Sequence, residues 1–329
     1  MKILIAGGAG YIGSKLVPVL QDRGYEVDVI DLFIFGNELP PSTKLIKKNI
    51  FDLTEQDISK YDIVIFMAGL SNDPMAEFSP AANFVFNTAC PVFLSYLSKK
   101  AKIKKFIYAS SCSVYGYTED KLYDENSPTT VQYPYGISKL QGELGIMQLV
   151  DDNFNVICLR QGTVCGYSPR MRLDLVINTM FKTAMSEGVI RVSNPSIWRP
   201  ILWIEDAVTA FIRAIEANSK ISGVFNVASF NCTTGSLADD IKNTLESVTD
   251  KKIKIEIQNI QDFRNYKVSI DKAKHILSFH PKGLVKDIII DLYNNRDKFT
   301  DLNNPKYKNI EVFREWLKKE SPSLVPTVN

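Results

Sequence analysis

Histidine is almost absent from this chain, with only His275 and His280 among 329 residues. A histidine-based catalytic triad or a multi-histidine metal site therefore has almost nothing to draw on, and any general base is expected to be another residue type. The five cysteines, Cys90, Cys112, Cys158, Cys165 and Cys232, form no CxxC pair. An odd count without that spacing argues against a disulfide framework or a zinc site and suits a reducing compartment. There is no excess of charge either: 39 Lys and Arg against 37 Asp and Glu leave a net +2. That balance gives no broad electrostatic reason to expect a nucleic acid or an acidic membrane as partner. Long apolar runs are missing too. Stretches such as Ile63 to Leu70 fall far short of the roughly 20 residues that span a bilayer. Only four apolar residues separate Lys2 from Gly7, whereas a secretory core needs about 7 to 15. A cytoplasmic location is expected.

What is present is an ordinary globular composition, 45% apolar and 23% charged, on a chain long enough for one large or two modest domains. The first half alternates short β-branched runs with helical stretches, the pattern of βαβ units on a parallel sheet. Residues 2–6, 26–31, 62–67, 105–109 and 155–160 read as buried strands, and 11–23, 80–102 and 135–150 carry apolar residues at helical spacing. The fold class predicted is α/β, a doubly wound parallel sheet of Rossmann type. Beyond about Gly166 the alternation gives way to helices near 174–187, 205–218, 236–248 and 284–298 with short strands such as 223–228 and 252–258. The expectation is a nucleotide-binding domain over 1–166 and a smaller mixed α/β lobe over 167–320, with segments that can return to the first domain. Residues 321–329, with two prolines, read as a loose tail. The Lys99 to Lys105 run reads as a solvated helix end before a strand.

Gly7-Gly8-Ala9-Gly10-Tyr11-Ile12-Gly13 follows the first strand and opens a helix, the context a dinucleotide fingerprint requires. Glycine is needed where the backbone turns out of the strand, where amides approach a pyrophosphate, and where helix packs on sheet. The helix N-terminus then adds partial positive charge for the phosphates. Asp31 ends the second strand, 18 residues after Gly13. A carboxylate there accepts both ribose hydroxyls of an adenosine and repels a 2'-phosphate, which favours NAD over NADP.

Tyr135 and Lys139 lie four positions apart in a helical stretch just after Pro134, so they project from one face about one turn apart. A free tyrosine, with a pKa near 10, is a poor base; a nearby ammonium favours its phenolate. Deprotonating a hydroxyl while a hydride leaves the same carbon is the task that suits this pair. Ser111, at the end of the fourth of these strands, is placed to hydrogen-bond the substrate oxygen.

These motifs together resemble the extended short-chain dehydrogenase/reductase family, in particular its nucleotide-sugar epimerases and dehydratases. The resemblance spans nearly the whole chain: Gly7 to Gly13, Asp31, Asp52-Leu53, Ala68-Gly69-Leu70, Asn87, Ser110 to Gly116, Tyr135 with Lys139, and Leu159-Arg160 leading to Gly166. It implies Gly7, Gly10, Tyr11, Ile12 and Gly13 on the cofactor, Asp52 and Leu53 over the adenine, Ala68 to Leu70 and Asn87 along the cofactor, and Lys139 also on the nicotinamide ribose. It makes Tyr135 the base and Ser111 its partner. Arg199-Pro200 followed by Trp203 to Asp206 looks like the family's segment whose arginine meets the sugar-nucleotide diphosphate, and Thr163 joins the substrate-binding set. A guanidinium suits phosphate oxygens. Arg170 and Arg172 can add to that clamp or serve equally as surface residues.

Departures from the family's pattern separate its reactions. Where the 4,6-dehydratases carry an Asp and a Glu directly after the Ser or Thr, this chain has Cys112 and Ser113, so dehydration loses its acid and base. Cys112 reads as a packed small residue. What remains is oxidation and reduction at C4 of a nucleotide-diphosphate sugar through a 4-keto intermediate, with 4-epimerisation ahead. Net C4 dehydrogenation or 4-ketoreduction of an NDP-hexose or GDP-heptose is the alternative, and a non-catalytic NAD-binding regulator the reading of another class. Leu70-Ser71-Asn72-Asp73-Pro74 departs from the usual epimerase sequence; Asp73 reads as a helix N-cap or a substrate contact. Helices 80–102 and 135–150 resemble the pair that forms a dimer interface in this family, which implies a homodimer, although their apolar faces can equally pack on the sheet.

Overall fold

A computed structural model of the chain describes residues 1–258 and 264–319; the expected tail at 321–329 lies outside them. Seven parallel strands form the main sheet in the order Gly223–Val227, Asn155–Gln161, Lys105–Ser111, Ile63–Phe66, Lys2–Ala6, Glu26–Asp31 and Lys44–Lys47. Alternate residues of each strand feed opposite faces. Ile3, Ile5, Val29, Ile65, Ile107 and Ile157 pack with Leu16, Val17 and Phe211 on one side. Leu4, Ala6, Val64, Phe66, Phe106 and Tyr108 pack with Leu94 and Ile146 on the other. Helices Gly13–Asp22 and Ile204–Glu216 thus cover one face, and Cys90–Lys100 with Pro134–Met147 the other. The strand order turns back beside Lys2–Ala6, and such a switch point opens a crevice at the carboxyl ends of the strands.

The strand expected at 223–228 is one of the segments that return to the first domain: it adds itself to the edge of the main sheet, pairing with Asn155–Gln161. Burial of Phe225 and Val227 there is worth more than a short strand left alone. Lys44–Lys47 is an edge strand that sequence pattern missed, because only one of its four side chains is even half-buried. Lys105 is not a solvated helix end. Its ammonium is buried and donates to the carbonyls of Ala214, Ile215 and Ala217, at 3.0, 2.8 and 2.6 Å, capping the C-terminus of Ile204–Glu216.

The helical stretch at 80–102 is broken into Pro80–Phe84, a wide π turn at Val85–Ala89, and Cys90–Lys100. Pro91 carries no N–H, so the carbonyl of Asn87, four residues earlier, has no ordinary helical donor. The Tyr108 hydroxyl fills that role at 3.0 Å, an example of how a π turn frees groups beside a site.

A second core lies beyond the carboxyl ends of the strands. Leu173, Ile177, Phe181, Leu237, Ile241, Ile288 and Leu292 pack among helices Val176–Glu187, Thr234–Val248 and Val285–Asn294. Strands Thr163–Cys165, Trp198–Trp203 and Phe230–Thr233 form a small sheet that faces the crevice. Helix Asn309–Lys319 was not anticipated; it returns to Leu70 and Met75 through Phe313.

Candidate active site

The crevice is a cavity of about 630 Å³. Its wall runs from the glycine turn and Asp31, past Ala68 to Leu70, to Ser111, Tyr135 and Lys139, and on to Thr163, Arg172 and Arg199. Gly7 sits at φ +83°, and a Cβ there would lie 2.4 Å from the Ala68 nitrogen. A Cβ on Gly13 would lie 2.2 Å from the Gly8 carbonyl oxygen. The turn can therefore close against its neighbours only with glycine at both places. Tyr11 donates its hydroxyl to the Gly166 carbonyl at 2.5 Å and accepts from Asn178, which locks the turn to the second lobe.

Asp31 accepts from Ala9 N at 3.1 Å and Phe33 N at 2.8 Å, one amide on each carboxylate oxygen. Burial raises its pKa, and these amides together with Arg170 pull it back. Each oxygen keeps capacity for a further donor such as a ribose hydroxyl.

At the other end of the wall, Ser111 accepts from Ser113 N at 3.1 Å and from Ser113 Oγ at 2.9 Å. Its own proton is thereby free for a third partner. Burial pushes Tyr135 up to about 12, and a hydrogen bond with Ser111 works against that; Asp73 raises it further and Arg172 lowers it. Lys139 donates to the Ala109 carbonyl at 2.9 Å and sits 5.0 Å from the centre of the Tyr108 ring. Burial pushes it down to about 7. Sequence reasoning expected the ammonium to bring the phenol into the working range. Burial by itself moves the two groups the other way, Tyr135 up and Lys139 down.

The other expected residues divide. Ala68, Gly69 and Leu70 line the crevice. Asn87 lies behind them and holds their backbone, donating to Leu70 O at 2.9 Å. Asp52 and Leu53 do not line it; Leu53 is packed in the core, and Lys48, Asn49 and Ile50 hold the corresponding stretch of wall. Arg172 lines the crevice but is paired with Asp174 at 2.8 Å and bonded to Ser71 at 2.9 Å. Arg199 lies over the Tyr266 ring and donates to the carbonyls of Trp198 and Arg264. Arg170 lies at the glycine-turn end, with its backbone N on Ser14 Oγ and its guanidinium over Phe35.

Cys112 is fully buried, and its thiol donates to the Arg160 carbonyl at 3.1 Å; it is the packed residue expected. The N-cap of helix Asp73–Phe78 is Asn72, which accepts from Met75 N, while Asp73 faces the crevice paired with Arg264.

Sequence reasoning missed Gln161, Tyr266 and Asn309 on the wall. Gln161 follows from sheet register, being the partner of Ser111. Tyr266 and Asn309 arrive from distant segments and carry no local motif. Among the described residues no cluster of His, Cys, Asp and Glu fits a metal ion, and no helix is long and apolar enough to cross a membrane.

A parallel sheet with a glycine-cradled helix N-terminus, an acid at the next strand end, and a Ser-Tyr-Lys set across the crevice defines a dinucleotide-dependent enzyme acting at an alcohol or carbonyl. The chain belongs to the NAD dependent epimerase/dehydratase family, whose model matches residues 3–228. NAD is its cofactor, and the glycine turn and Asp31 have the donors and acceptors to hold it. Among its relatives is an uncharacterized UDP-glucose epimerase of Bacillus subtilis, 25% identical over 307 residues covering 87% of this chain and 95% of the relative. Another is UDP-glucose 4-epimerase 3 of Oryza sativa, 26% identical with 89% of each chain covered. The crystal structure of UDP-glucuronic acid 4-epimerase from Bacillus cereus, in complex with UDP-glucuronic acid and NAD, is similar with a TM-score of 0.79 at 25% identity. It covers 91% of this chain and 99% of that one.

Proposed function

We propose that the protein is an NAD-dependent nucleotide-sugar 4-epimerase in which Tyr135 is the proton-transfer group, Ser111 its hydrogen-bonding partner and Lys139 the amine that donates to the nicotinamide ribose. The observation that carries this reading is that Ser111, held by Ser113, shares one cavity with Tyr135, Lys139, the glycine turn and Asp31. Held by the glycine turn, Asp31 and Lys139, NAD would supply a reversible hydride acceptor for C4. Tyr135 takes the C4 hydroxyl proton as that hydride departs, leaving a 4-keto sugar. Ser111 donates to the oxygen throughout, matching the charge that builds there. Tyr135 would return the proton to that oxygen when the carbonyl is reduced from its opposite face, so that the product is the C4 epimer. Thr163, Arg172 and Arg199 stand along the substrate half of the wall, and Arg199 supplies a guanidinium suited to the sugar-nucleotide diphosphate. Cys112 is turned into the core, so the position where a dehydratase keeps an acid holds a group occupied elsewhere.

The reading includes a cytoplasmic homodimer. Support comes from Tyr96 and Leu144, 49% and 54% exposed, on the two neighbouring helices Cys90–Lys100 and Pro134–Met147, and from five cysteines that are all free.

The test is incubation with UDP-, GDP-, CDP- and dTDP-sugars, with products resolved by mass and chromatographic mobility. An epimer of unchanged mass, formed without added cofactor and without a lasting absorbance band of reduced nicotinamide, is expected. A stoichiometric rise or fall of that band would replace epimerisation by net C4 dehydrogenation or ketoreduction.

A further inference from the structure

Arg170 is 4% exposed and its Nη2 is fully buried without a hydrogen-bond partner. No carboxylate lies within ion-pair distance of its guanidinium among the described residues; the guanidinium lies over the Phe35 ring, 4.5 Å from Cζ to centroid. The other crevice-lining arginines are engaged: Arg172 with Asp174, Arg191 with Glu187, Arg264 with Asp73, and Arg199 with two carbonyls. Asp174 and Asp31 act on it only from beyond ion-pair distance, and a buried charge without a direct partner is costly. Desolvation, with repulsion from nearby Arg172, lowers the pKa of Arg170 to about 9, while Asp174, Asp31 and Tyr11 work the other way. The residue nonetheless lines the cavity.

Its position identifies the missing anion. The backbone N of Arg170 donates to Ser14 Oγ at 3.2 Å. The neighbouring Ser168 donates to the Tyr11 carbonyl at 2.6 Å, so this loop is fastened to the first turn of the glycine-cradled helix. Phe35 follows Asp31 at the end of the second strand, and Arg170 is close enough to Asp31 to lower its pKa against burial. The guanidinium therefore stands between the ribose acid and the helix N-terminus, the stretch a dinucleotide pyrophosphate occupies in this fold.

We propose that Arg170 is a cofactor-binding residue that crosses from the second lobe and pairs with the pyrophosphate of NAD, rather than a part of the substrate diphosphate clamp. Phe35 supports the plane of the guanidinium, and the Ser14, Ser168 and Tyr11 bonds fix its loop. The glycine turn then holds one side of the pyrophosphate with backbone amides and a helix dipole, and Arg170 the other with a full charge. This inference rests on NAD as cofactor and not on the epimerase reading, so it is tested by binding alone.

The experiment measures affinities of wild type, Arg170→Gln and Arg170→Lys for NAD, ADP-ribose, adenosine and UDP. Loss of a charge-assisted hydrogen bond predicts about a ten- to hundredfold weakening for NAD and ADP-ribose in Arg170→Gln, partly restored in Arg170→Lys. Adenosine and UDP, which lack the cofactor pyrophosphate, should change less than about twofold. Arg170→Met adds a readout that a structural role would move the other way. With ligand absent its thermal midpoint should match or exceed wild type, because an unpaired buried charge is gone, while the upward shift given by ADP-ribose should shrink. Weakened UDP binding with NAD binding intact would assign Arg170 to the substrate. Unchanged affinities throughout, or a ligand-free midpoint that falls in Arg170→Met, would reduce it to a packing partner of Phe35.

Discussion

Lys139 donates its ammonium to the main-chain carbonyl of Ala109 at 2.9 Å, which fastens helix Pro134–Met147 to the strand that ends in Ser111. This bond fixes the spacing between the two halves of the Ser-Tyr-Lys set, and it does so with a group whose charge is expensive to bury. Burial pushes Lys139 down to about 7, well below the roughly 10.4 of an unfolded lysine. Between those values the unfolded chain holds a proton that the folded one lacks, so this residue makes stability rise as pH rises. Its cost is fully present below about pH 7 and gone above about pH 10.5. Lys139→Met should therefore gain on wild type at acidic pH by up to a few kcal/mol and lose that gain toward alkaline pH. Lys105, pushed down to about 8 by burial, has the same sign but is shared by both proteins and cancels. Urea unfolding across this range gives the answer, and parallel stability profiles would show that Lys139 keeps its proton.

Tyr135→Phe keeps the ring and removes the hydroxyl that Ser111 meets. Turnover should fall about a hundred- to ten-thousandfold, the usual worth of a positioned acid-base group. Retained cofactor, measured on the released nucleotide, should stay within about twofold of wild type. If binding falls with turnover, the phenol is holding the cofactor rather than moving a proton. A regulator that has lost the chemistry would show no change in either.

How much of this was legible beforehand depends on how local each feature is. The strands at 2–6, 26–31, 105–109 and 155–160 and the glycine turn declare themselves through short-range pattern, and Ser111, Tyr135 and Lys139 fall together because Ser111 ends a main-sheet strand and the other two lie one turn apart on helix Pro134–Met147 packed against it. Strand Tyr117–Tyr123 was invisible because its partner is Asn265–Val268, far away in sequence and itself without a motif. The Pro91 π turn required knowing that Tyr108 would stand opposite Asn87. Arg170 was recognised as a possible anion ligand, yet which anion depends on Ser14 and Phe35, contacts that no spacing rule supplies.

Asp31 should set the choice of dinucleotide. Its two oxygens already take one backbone amide each, leaving acceptor capacity toward the cavity and a negative charge that opposes a 2'-phosphate. Asp31→Ser should weaken NAD about tenfold or more and narrow the preference over NADP by at least as much. Arg170 beside it would then face an added phosphate without the opposing carboxylate. Paired titrations with NAD and NADP settle the point; an unchanged ratio of the two affinities would move the discrimination to another residue.

Glu143 and Arg160 form the most buried ion pair among the described residues, 1% and 6% exposed at their side chains, with the closest approach at 2.6 Å. Glu143 also accepts from Ser110 Oγ at 2.6 Å, and Arg160 Nη1 donates to the Tyr115 hydroxyl at 2.8 Å, which bonds Asn226 Oδ1 at 2.8 Å. Three adjacent strands and helix Pro134–Met147 are thereby joined directly behind Ser111. Glu143→Ala leaves a buried guanidinium uncompensated and should cost about 3–5 kcal/mol. A double replacement, Glu143→Leu with Arg160→Met, removes both charges and should recover much of that loss, because desolvation then no longer opposes folding. Turnover in the double variant should still fall, since Ser110 has lost its acceptor and the side-chain ties behind Ser111 are gone, leaving only the backbone ladder and packing. Denaturant midpoints for the single and double variants test the energetic claim. A single variant within about 1 kcal/mol of wild type, or a double variant no more stable than the single, would mean that Arg160 finds another counter-charge or water once Glu143 is gone.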